Sequence, residues 1–515
     1  MLASGLLPLL LMGSAFALPG LSLLIKNQKF YRVYALAVSV VGLAMASAIF
    51  LETLERRVTT YWFGGFRPPL GIVYTVDLLG AILGLLSMFI LVLSVAYSGW
   101  LIRSRSEYLY YTFMLSLGAG SVGCLYTGDI FNFFVMLEVL SLSAYVLVSF
   151  YRDNPKSIEA SIRYALVGMV ATSLYLLAAF IIYGSYGTLN MADVALKSRN
   201  PGAVTAYSGG VFGDITFSSA IAIALSVWTF TFKAAVFPNH FWLPDANPEA
   251  PTPVSALFVA VIDLVGAYGV ARFLYTIFGS GSVVDALRRD VLLVLHVLGA
   301  LSAVVGALLL LIQVDIKKFI AYSTISHMGL AFMALTVGTE GGLAAAVVQL
   351  ISNSLSEALL FYTAGVAIVA AGRSIEYVGV LRRRRLESVA FLIGILNLFG
   401  IIPPLLGFWS KVFMFTAFLE AGYLASAVVL VVSTGISGIG YVKLINNLFR
   451  EAPRTREDSR LEKTLVAKLV IATATTALLV LGASVIAFPR FMLIISEVGR
   501  GVADYLTYVR TVLGA

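Results

Sequence analysis

The stretch Trp228-Thr-Phe-Thr-Phe-Lys233-Ala-Ala-Val236 places one lysine in the middle of an apolar segment. A charged side chain at mid-membrane costs about 2.5–3.5 kcal/mol even on lenient insertion scales, so it needs a partner or a purpose. Prolines then interrupt the segment: Pro238, Pro244, Pro248, Pro251 and Pro253. Interrupted backbone at membrane depth is tolerated only inside protein or against water. The stretch therefore predicts a broken membrane helix buried in a bundle.

The composition of the whole chain supports a membrane protein. Of its 515 residues, 60% are hydrophobic and only 12% are charged, whereas soluble domains average about 25% charged residues. So few polar side chains do not cover a surface that faces water, but a surface that faces lipid needs none. Apolar stretches of about 20 residues, the length that spans a bilayer, follow one another along nearly the whole chain.

We predict an all-α integral membrane protein of about 14 transmembrane helices in a single domain, residues 1–515. The predicted spans are 2–25, 31–51, 75–98, 108–127, 130–150, 158–183, 215–237, 252–276, 290–313, 318–338, 342–371, 388–417, 422–448 and 465–488. Residue ranges 108–276 and 290–448 are predicted to form two inverted five-helix repeats, flanked by helices in 2–98 and 465–488.

Broken helices at matching places are the reason for predicting two repeats. Lys233 on the seventh span is followed by prolines, and Lys411 on the twelfth span is preceded by Pro403-Pro404. Paired interrupted helices in corresponding positions of two halves are typical of transporters built from inverted repeats. We therefore expect helices 7 and 12 to be broken. Proline kinks that serve only packing are the alternative, and it fits one span better than both.

Basic residues predict the orientation of the chain. Lys and Arg are concentrated in the connections that follow odd-numbered spans: Lys26, Lys29, Arg32, Arg103, Arg105, Arg152, Lys156, Lys317, Lys318, Arg382 to Arg385, Arg450, Arg454, Arg456, Arg460 and Lys463. The connections after even-numbered spans carry few or none. Because loops rich in Lys and Arg stay in the cytoplasm, we predict a multi-pass protein of the cell (inner, cytoplasmic) membrane with both termini outside.

Other residues exclude several kinds of chemistry within this chain. Cys124 is the only cysteine, which excludes a disulfide framework and a cysteine-ligated iron–sulfur cluster. The three histidines, His240, His296 and His327, lie far apart and lack metal-ligand spacing. No glycine-rich phosphate loop is present. We therefore predict no cofactor in this chain and, despite a net charge of +8, no nucleic-acid partner.

Five charged residues lie inside otherwise apolar spans and are candidates for ion translocation: Glu138, Lys233, Asp263, Glu357 and Lys411. Burial raises the pKa of a carboxylate and lowers the pKa of a lysine. Such groups can then gain and lose protons near neutral pH, as a proton relay requires. The alternative is a static buried ion pair, for example Glu138 with Lys233, which does not explain several unlike charges at similar depth.

Three stretches resemble the antiporter-like subunits of respiratory complex I, Mrp-type cation/proton antiporters and membrane-bound hydrogenases. They are Lys233-Ala-Ala-Val-Phe-Pro238-Asn-His240-Phe-Trp242-Leu-Pro244-Asp245-Ala-Asn-Pro-Glu249-Ala-Pro251-Thr-Pro253-Val-Ser255-Ala, Asp315-Ile-Lys317-Lys-Phe-Ile-Ala321-Tyr322-Ser323-Thr-Ile-Ser326-His327-Met-Gly329, and Gly400-Ile-Ile-Pro403-Pro404-Leu-Leu-Gly407-Phe408-Trp409-Ser410-Lys411. The resemblance extends over essentially the whole chain in the number and order of spans. It implies a fold of two inverted repeats with a central polar axis.

The resemblance also implies roles for single residues. By the family pattern, Glu138 on the fifth span and Lys233 on the seventh form the pair that modulates proton uptake. Lys411 would be the exit-side site, and His327 a member of the connecting axis. The resemblance further implies other membrane subunits as partners, in an Mrp-like or complex I-like assembly. Iron–sulfur or nickel–iron centres would then lie in partner subunits.

Two spans depart from the family pattern. Many relatives carry a lysine in the eighth span, where this chain has Leu264 beside Asp263. In the eleventh span Gln349 and Asn353 stand where relatives have histidines, and Glu357 stands for a lysine. Three interpretations stay open: a relay of carboxylates and water, a subunit that no longer completes a path, or a sodium site. Carboxylate oxygens suit a hard cation such as sodium.

The sequence therefore predicts a subunit that translocates protons, sodium ions or both as part of a multisubunit membrane complex. The complex would be redox-driven, like a hydrogenase or complex I, or of the Mrp type. Two alternatives stay open, a self-sufficient secondary transporter for a solute and a scaffold subunit with a disabled ion path. No catalytic residue is predicted, so the energy must come from an ion gradient or a partner protein.

Overall fold

The computed structural model describes residues 2–104, 106–204, 214–451, 461 and 464–514. Its helices up to the middle of the chain are Leu2–Leu24 (α1), Gln28–Arg56 (α2), Leu78–Leu101 (α3), Glu107–Tyr126 (α4), Ile130–Val148 (α5), Pro155–Tyr186 (α6), Met191–Arg199 (α7), Ile215–Lys233 (α8), Leu243–Glu249 (α9), Thr252–Leu257 (α10) and Asp263–Ala271 (α11). Beyond them lie Asp285–Leu311 (α12), Ile316–Thr336 (α13), Glu340–Ala370 (α14), Arg385–Phe399 (α15), Leu406–Glu420 (α16), Leu424–Phe449 (α17), Leu465–Ala487 (α18), Pro489–Ala503 (α19) and Tyr505–Leu513 (α20).

Short elements complete the fold. The strands Val58–Trp62 (β1) and Val73–Asp77 (β2) form an antiparallel hairpin in which Val58 pairs with Asp77. Single 3₁₀ segments cover Phe63–Gly65, Pro201–Ala203 and Ile375–Arg383. Two π-helical segments, Phe258–Ile262 and Arg272–Ile277, flank α11 and join it to α10 in one span. Segments of this kind are frequent at functional sites.

The prediction of an all-α membrane protein is confirmed. In the described part of the chain, 12 helical segments are long and apolar enough to cross a membrane, by length and composition. The predicted total of about 14 also counts α4 and the pair α15 and α16. That total stays a prediction, as does the division into two inverted repeats.

Side-chain caps fix where several of these helices begin. Asp77, Asp129, Asn154 and Asp315 each accept hydrogen bonds from backbone N–H groups of the first turn, before α3, α5, α6 and α13 respectively. A carboxylate or amide oxygen at this position satisfies donors that the helix itself leaves unpaired. The polar residues between apolar spans thus set the register of the helices that carry the candidate site.

Contacts between the connections sort them onto two faces. On one face, which we call the odd face, Asn154 bonds Glu249 at 2.8 Å and Arg373 pairs with Glu249 at 2.8 Å. These residues belong to connections that follow the odd-numbered predicted spans. On the opposite, even face, Asp129 is bridged to Asn190, and Val283 N donates to Ser198 O at 2.8 Å. The alternation that the basic residues predicted is therefore present in the fold.

Two short helices after α18 were not predicted from the sequence. In α19, Gly499 packs against the backbone carbonyl of Glu340, and Arg500 pairs with the Glu340 carboxylate at 3.2 Å. In α20, the Tyr505 ring lies 3.6 Å below the guanidinium of Arg199. Both helices therefore cover the even face. Arg105, Arg454, Arg456, Arg460, Lys463 and Ala515, which the orientation prediction uses, lie outside the described residues.

The centre of the bundle is formed by three spans that carry half of the six candidate residues. Every residue of the span Thr252–Ile277 is buried, and so are nearly all residues of α13 and α14, whereas most residues of α1 and α2 are not. The central spans also hold polar side chains at positions that lipid never reaches, among them Asp263, His327 and Glu357. The fold therefore places these polar groups along the interior of the protein.

Candidate ion pathway

Lys233 is the last residue of α8 and is fully buried. Its ammonium donates a hydrogen bond to the Ser141 hydroxyl on α5 at 2.6 Å. It also lies 5.8 Å from the ring centre of Tyr145 and 5.9 Å from that of Tyr164. A cation within about 6 Å of an aromatic face is attracted by the ring. One hydroxyl and a set of aromatic rings thus replace water around this charge.

Glu138 lies one turn before Ser141 on α5 and is only partly buried. Its charge acts on Lys233, but among the described residues the two side chains form no direct ion pair. The static pair of Glu138 with Lys233 is therefore not what the structure contains. Ser141 binds the Lys233 ammonium from the helix that also carries Glu138, and a hydroxyl can both accept and donate a proton.

The segment after Lys233 is held by side chains that replace helix hydrogen bonds. Ala235 adopts a positive φ of 51°, which ends the helical path. Trp242 Nε1 donates to the Phe232 carbonyl at 2.7 Å, and the Asn239 amide donates to the Thr231 hydroxyl at 3.0 Å. A buried carbonyl without a partner is costly. These bonds therefore let α8 end inside the bundle with Lys233 at its tip.

Lys411 occupies a comparable position at a second interruption. The helix α15 ends at Phe399, and α16 begins at Leu406. Lys411 Nζ, on α16, donates to the carbonyls of Leu398 at 2.7 Å and Phe399 at 2.5 Å. These carbonyls belong to the last turn of α15, where the helix dipole favours a cation. The end of one short helix thus binds the charge carried by the next.

Gly400 makes this arrangement possible. It has a left-handed φ of 68°, which ends α15 and favours glycine. A Cβ at this position would also lie 2.7 Å from the Lys411 side chain and 2.7 Å from the Gly407 carbonyl. The two short helices are further joined by Asn397, whose Oδ1 accepts from Gly407 N at 2.8 Å. The approach of Lys411 to α15 therefore depends on the absence of a side chain.

Asp263 and Glu357 meet in the middle of the protein. Both are fully buried, and their charges interact. Glu357 Oε2 accepts hydrogen bonds from Thr324 at 2.7 Å and Asn353 at 3.1 Å. Within the described chain, Glu357 Oε1, Asn353 Oδ1 and both Asp263 oxygens have no hydrogen-bond partner. Buried polar oxygens of this kind require a proton, water or an ion.

The purely structural interpretations of these two carboxylates do not hold. Asp263 lies between a π-helical segment and α11 in one continuous span and caps no helix. Glu357 forms no ion pair with a lysine or arginine in the part of the chain that the structure describes. Neither group is therefore explained as a cap or as half of a static ion pair.

A directional chain of hydrogen bonds leads from this carboxylate pair towards Lys411. Ser410 donates to Gln349 Oε1 at 2.8 Å, and Gln349 Nε2 lies 3.0 Å from His327 Nδ1. Because an amide nitrogen only donates, Nδ1 accepts and the other ring nitrogen carries the proton. His327 Nε2 lies 3.0 Å from the Tyr441 hydroxyl, which bonds Ser323 at 2.7 Å. The hydroxyl of Tyr441 and the imidazole of His327 can each accept and donate a proton, whereas the Gln349 amide orients the ring of His327.

The interactions of the six predicted residues connect them in one series, which we call the line. Tyr164 lies between Lys233 and Asp263 in this series, since its ring faces Lys233 and its hydroxyl interacts with the Asp263 charge. Glu357 interacts with Tyr441, and His327 interacts with Lys411. The order is Glu138, Lys233, Asp263, Glu357, His327 and Lys411. The proton-carrying role of these residues stays a prediction.

The sequence did not identify several members of this line. Ser141, Tyr164 and Tyr441 look like ordinary residues of apolar helices, and only the tertiary contacts reveal them. Lys317 is a correction, because it was counted among the basic residues of a loop. The structure buries it, and Nζ donates to the Ala250 carbonyl at 2.6 Å and to Ser255 at 3.2 Å.

A further titratable group lies at the even face. Asp129 caps α5. Burial raises the pKa of its carboxyl to about 6, because the effect of burial is larger than that of the backbone hydrogen bonds, which lower the pKa. A carboxyl with such a pKa exchanges its proton near neutral pH. Because α5 also carries Glu138, Asp129 lies on the helix that leads from this face to the line of charges.

We expect Tyr441→Phe to destabilise the protein by about 1 kcal/mol, because the ring nitrogen of His327 and the Ser323 hydroxyl lose a buried partner. Transport should also become slower, since the hydrogen-bond chain is interrupted. The midpoint of thermal unfolding of the detergent-purified protein measures the first effect. Tyr322→Phe on α13 is the control, because the Tyr322 hydroxyl makes no hydrogen bond within the described chain. Equal midpoints for the two variants would contradict the assignment.

Comparison with known proteins places this geometry in a family. Residues 127–437 match the family described as NADH:quinone oxidoreductase/Mrp antiporter, transmembrane. The chain belongs to this family. All six residues of the line lie within the matched range, and the resemblance predicted from the three sequence motifs is confirmed.

Individual relatives of the NADH:quinone oxidoreductase/Mrp antiporter family match most of the chain. It is 32% identical over 428 residues to NADH-quinone oxidoreductase subunit N of Desulforudis audaxviator, covering 82% of this chain and 81% of that protein. It is 30% identical over 417 residues to a Na(+)/H(+) antiporter subunit of Alkalihalophilus pseudofirmus, covering 80% of each. A chain of the membrane-bound sulfane sulfur reductase, an archaeal respiratory membrane complex, superposes with a TM-score of 0.87 at 26% identity, covering 99% of both chains.

Proposed function

We propose that this chain translocates cations across the membrane as an antiporter-like subunit of a multisubunit complex. One observation carries the proposal, namely the series of interacting charged and polar groups from Glu138 to Lys411, most of which are buried. A protein that only packs against its neighbours has no reason to bury both acidic and basic groups along its interior, because each costs free energy in the membrane. The family supports the same function.

The proton is the cation that the contacts favour for most of the line. Ser141, His327 and Tyr441 form hydrogen bonds of 2.6 to 3.0 Å, and hydroxyl and imidazole groups can both accept and donate a proton. A lysine ammonium can release a proton in such surroundings but cannot bind a metal cation. Lys233 and Lys411 therefore suit protons and not sodium at the two ends of the line.

We also propose a specific binding site for sodium, at Asp263 and Glu357. Four oxygens without hydrogen-bond partners belong to Asp263, Glu357 and Asn353 in the described chain. Oxygen ligands of this kind, most of them from carboxylates, suit a hard cation. We propose that the pair holds either a proton or a sodium ion as cargo, which allows exchange of one ion for the other.

We propose that the partners are other membrane subunits. The relatives named above are subunits of an oxidoreductase and of an antiporter, and the solved structure is a respiratory complex. If the complex is redox-driven, its iron–sulfur or nickel–iron centres belong to the partner subunits. Purifying the native complex and identifying its companion chains tests this point. Companions without redox centres would instead indicate an Mrp-type assembly.

We expect the purified chain alone to show no ion-coupled exchange in liposomes, whereas the complete complex should show it. The reason is that the relatives named above are subunits of larger assemblies, so we expect a working path only when the neighbouring membrane subunits are in place. A pH-sensitive dye inside the liposomes measures the exchange. Rapid antiport by the chain alone would favour a self-sufficient transporter, and an inactive path in the complete complex would favour a scaffold subunit.

The orientation belongs to the proposal as well. We propose that the odd face lies in the cytoplasm of the cell and that both termini lie outside, because basic residues are concentrated on the odd face. Cys124 is fully buried, so a Cys124→Ser background removes the only thiol. Single cysteines at Arg383 on the odd face and Thr511 on the even face, both exposed, report the orientation.

An impermeant thiol reagent should label Thr511→Cys in intact cells and Arg383→Cys only in inverted vesicles. The asymmetry of Lys and Arg is the reason for this expectation. Labelling of both variants after detergent treatment is the control for reactivity. Labelling of Thr511→Cys from the cytoplasmic side alone would refute the orientation.

A further inference from the structure

An open cleft at the odd face lies between the beginnings of two membrane helices. It has a volume of about 590 Å³ and lies where α15 and α18 start. Four basic residues line it: Arg383, Arg384, Arg385 and Lys468. Among the described residues that line it, one is acidic: Glu387, which is buried and lies 3.7 Å from Arg384. The cleft therefore has a strong excess of positive charge.

Three of these cations are available to a ligand. Arg383, Arg385 and Lys468 are exposed, and none of them forms an ion pair among the described residues. Arg384 is held in place, since it also donates to the Leu461 carbonyl at 3.3 Å. A guanidinium presents several N–H donors in a planar fork that matches the oxygens of a phosphate.

The two helix ends add to the attraction for an anion. The cap residues of α15 and α18, Arg384 and Thr464, give no side-chain hydrogen bond to the first turn. The N–H groups of these turns and the positive ends of the two helix dipoles are therefore free to favour a negative charge. The basic side chains and the helix ends act in the same direction.

Apolar surface begins directly beyond the cleft. On α15, Val389 is exposed, and on α18, Leu465 and Leu469 are exposed. Because both helices are apolar from these residues onward, the cleft lies at the level where lipid headgroups meet the hydrocarbon. An acidic protein segment would match the charge but would leave this adjoining apolar surface without a partner. A lipid matches both.

We propose that this cleft binds the phosphate headgroup of an anionic membrane phospholipid, whose acyl chains lie along α15 and α18. Arg383, Arg385 and Lys468 contact the phosphate oxygens. Arg384 offsets the negative charge of Glu387, so that the cleft stays positive. The ligand is a lipid and not a free anion because the apolar surface continues from the phosphate site. This binding is independent of the path that ions take through the protein.

Native mass spectrometry of the complete complex, with phosphatidylglycerol added to the detergent, tests the proposal. Replacing Arg383, Arg385 and Lys468 together by Gln should weaken lipid retention at least about tenfold, because each basic residue near an anionic lipid contributes to binding. The control variant replaces Lys26, Lys29 and Lys156 by Gln, since these exposed residues of the odd face carry the same charge. It should retain lipid like the unmodified complex.

Competing probes distinguish the source of the phosphate. The unmodified complex should retain phosphatidylglycerol in preference to phosphatidylcholine, and an equal concentration of inorganic phosphate should not displace it. Equal retention by the two triple variants would overturn the proposal. Displacement by inorganic phosphate would show a site for a free anion, and cross-linking of the cleft to an acidic partner subunit would show a protein interface. Either result would also overturn it.

Discussion

Lys233→Ala should reduce coupled ion transport in membrane vesicles by about 10²-fold, the lower end of the range for loss of a positioned proton-transfer group. Lys233 is fully buried and bonds Ser141, and its charge interacts with Glu138. Alanine removes the ammonium that holds a proton between Glu138 and Asp263. Dissipation of an imposed pH gradient in vesicles that contain the complete complex measures the rate.

Two further variants make this result specific. Glu138→Gln should give a loss of similar size, because it removes the charge that acts on Lys233 from α5. Lys443→Ala is the matched control, since Lys443 is exposed on α17 and its variant should transport like the unmodified protein. Native gel electrophoresis shows whether each complex assembles. Assembled complexes with unchanged rates for both Lys233→Ala and Glu138→Gln would mean that these charges are buried without a role.

The second large effect is expected at the carboxylate pair. Asp263→Asn and Glu357→Gln keep the shape of each side chain but remove the ability to release a proton or to bind a cation with a full charge. Each should slow transport at least about tenfold, as expected when one proton-transfer group is lost. If the pair holds sodium, the sodium dependence of the rate should also disappear, because the four unpaired oxygens are then incomplete.

Rates measured with and without sodium separate the two kinds of cargo. A slower rate that does not depend on sodium would indicate a proton at Asp263 and Glu357. Glu420→Gln is the control, since Glu420 ends α16 at an exposed position. Unchanged rates and unchanged sodium dependence in both variants would defeat the functional role of the pair. The path would then consist of Glu138, Lys233, His327, Lys411 and water.

The candidate site could be predicted from the sequence because a charged residue inside an apolar segment can be recognised from its immediate neighbours. Glu138, Lys233, Asp263, Glu357 and Lys411 stand out against apolar neighbours, and the cost of such charges in lipid implies a purpose. The prolines around Lys233 and before Lys411 likewise predict irregular backbone without any knowledge of the fold. The family could be predicted from three motifs for the same reason, since their residues are contiguous in the chain.

The partners of these charges could not be predicted, because they are distant in sequence. Lys233 bonds Ser141, 92 residues away, and His327 bonds Tyr441, 114 residues away. Which side chains meet depends on how far each helix is rotated and how deep it lies. The short helices α19 and α20 were missed because they are amphipathic and lie on the surface, so they lack the long apolar run of a membrane span.

Local sequence therefore establishes that the chain is a helical membrane protein of this family, and which charges lie in its spans. Hydropathy, proline and contiguous motifs are properties of short stretches, and short stretches can be interpreted without a fold. Only the packed helices reveal that Lys233 binds a hydroxyl and not Glu138. They also reveal that Lys411 donates hydrogen bonds to the last carbonyls of α15, and that Asp263 and Glu357 have oxygens without hydrogen-bond partners in the described chain. These facts depend on the packing of helices, which brings together residues that no local pattern connects.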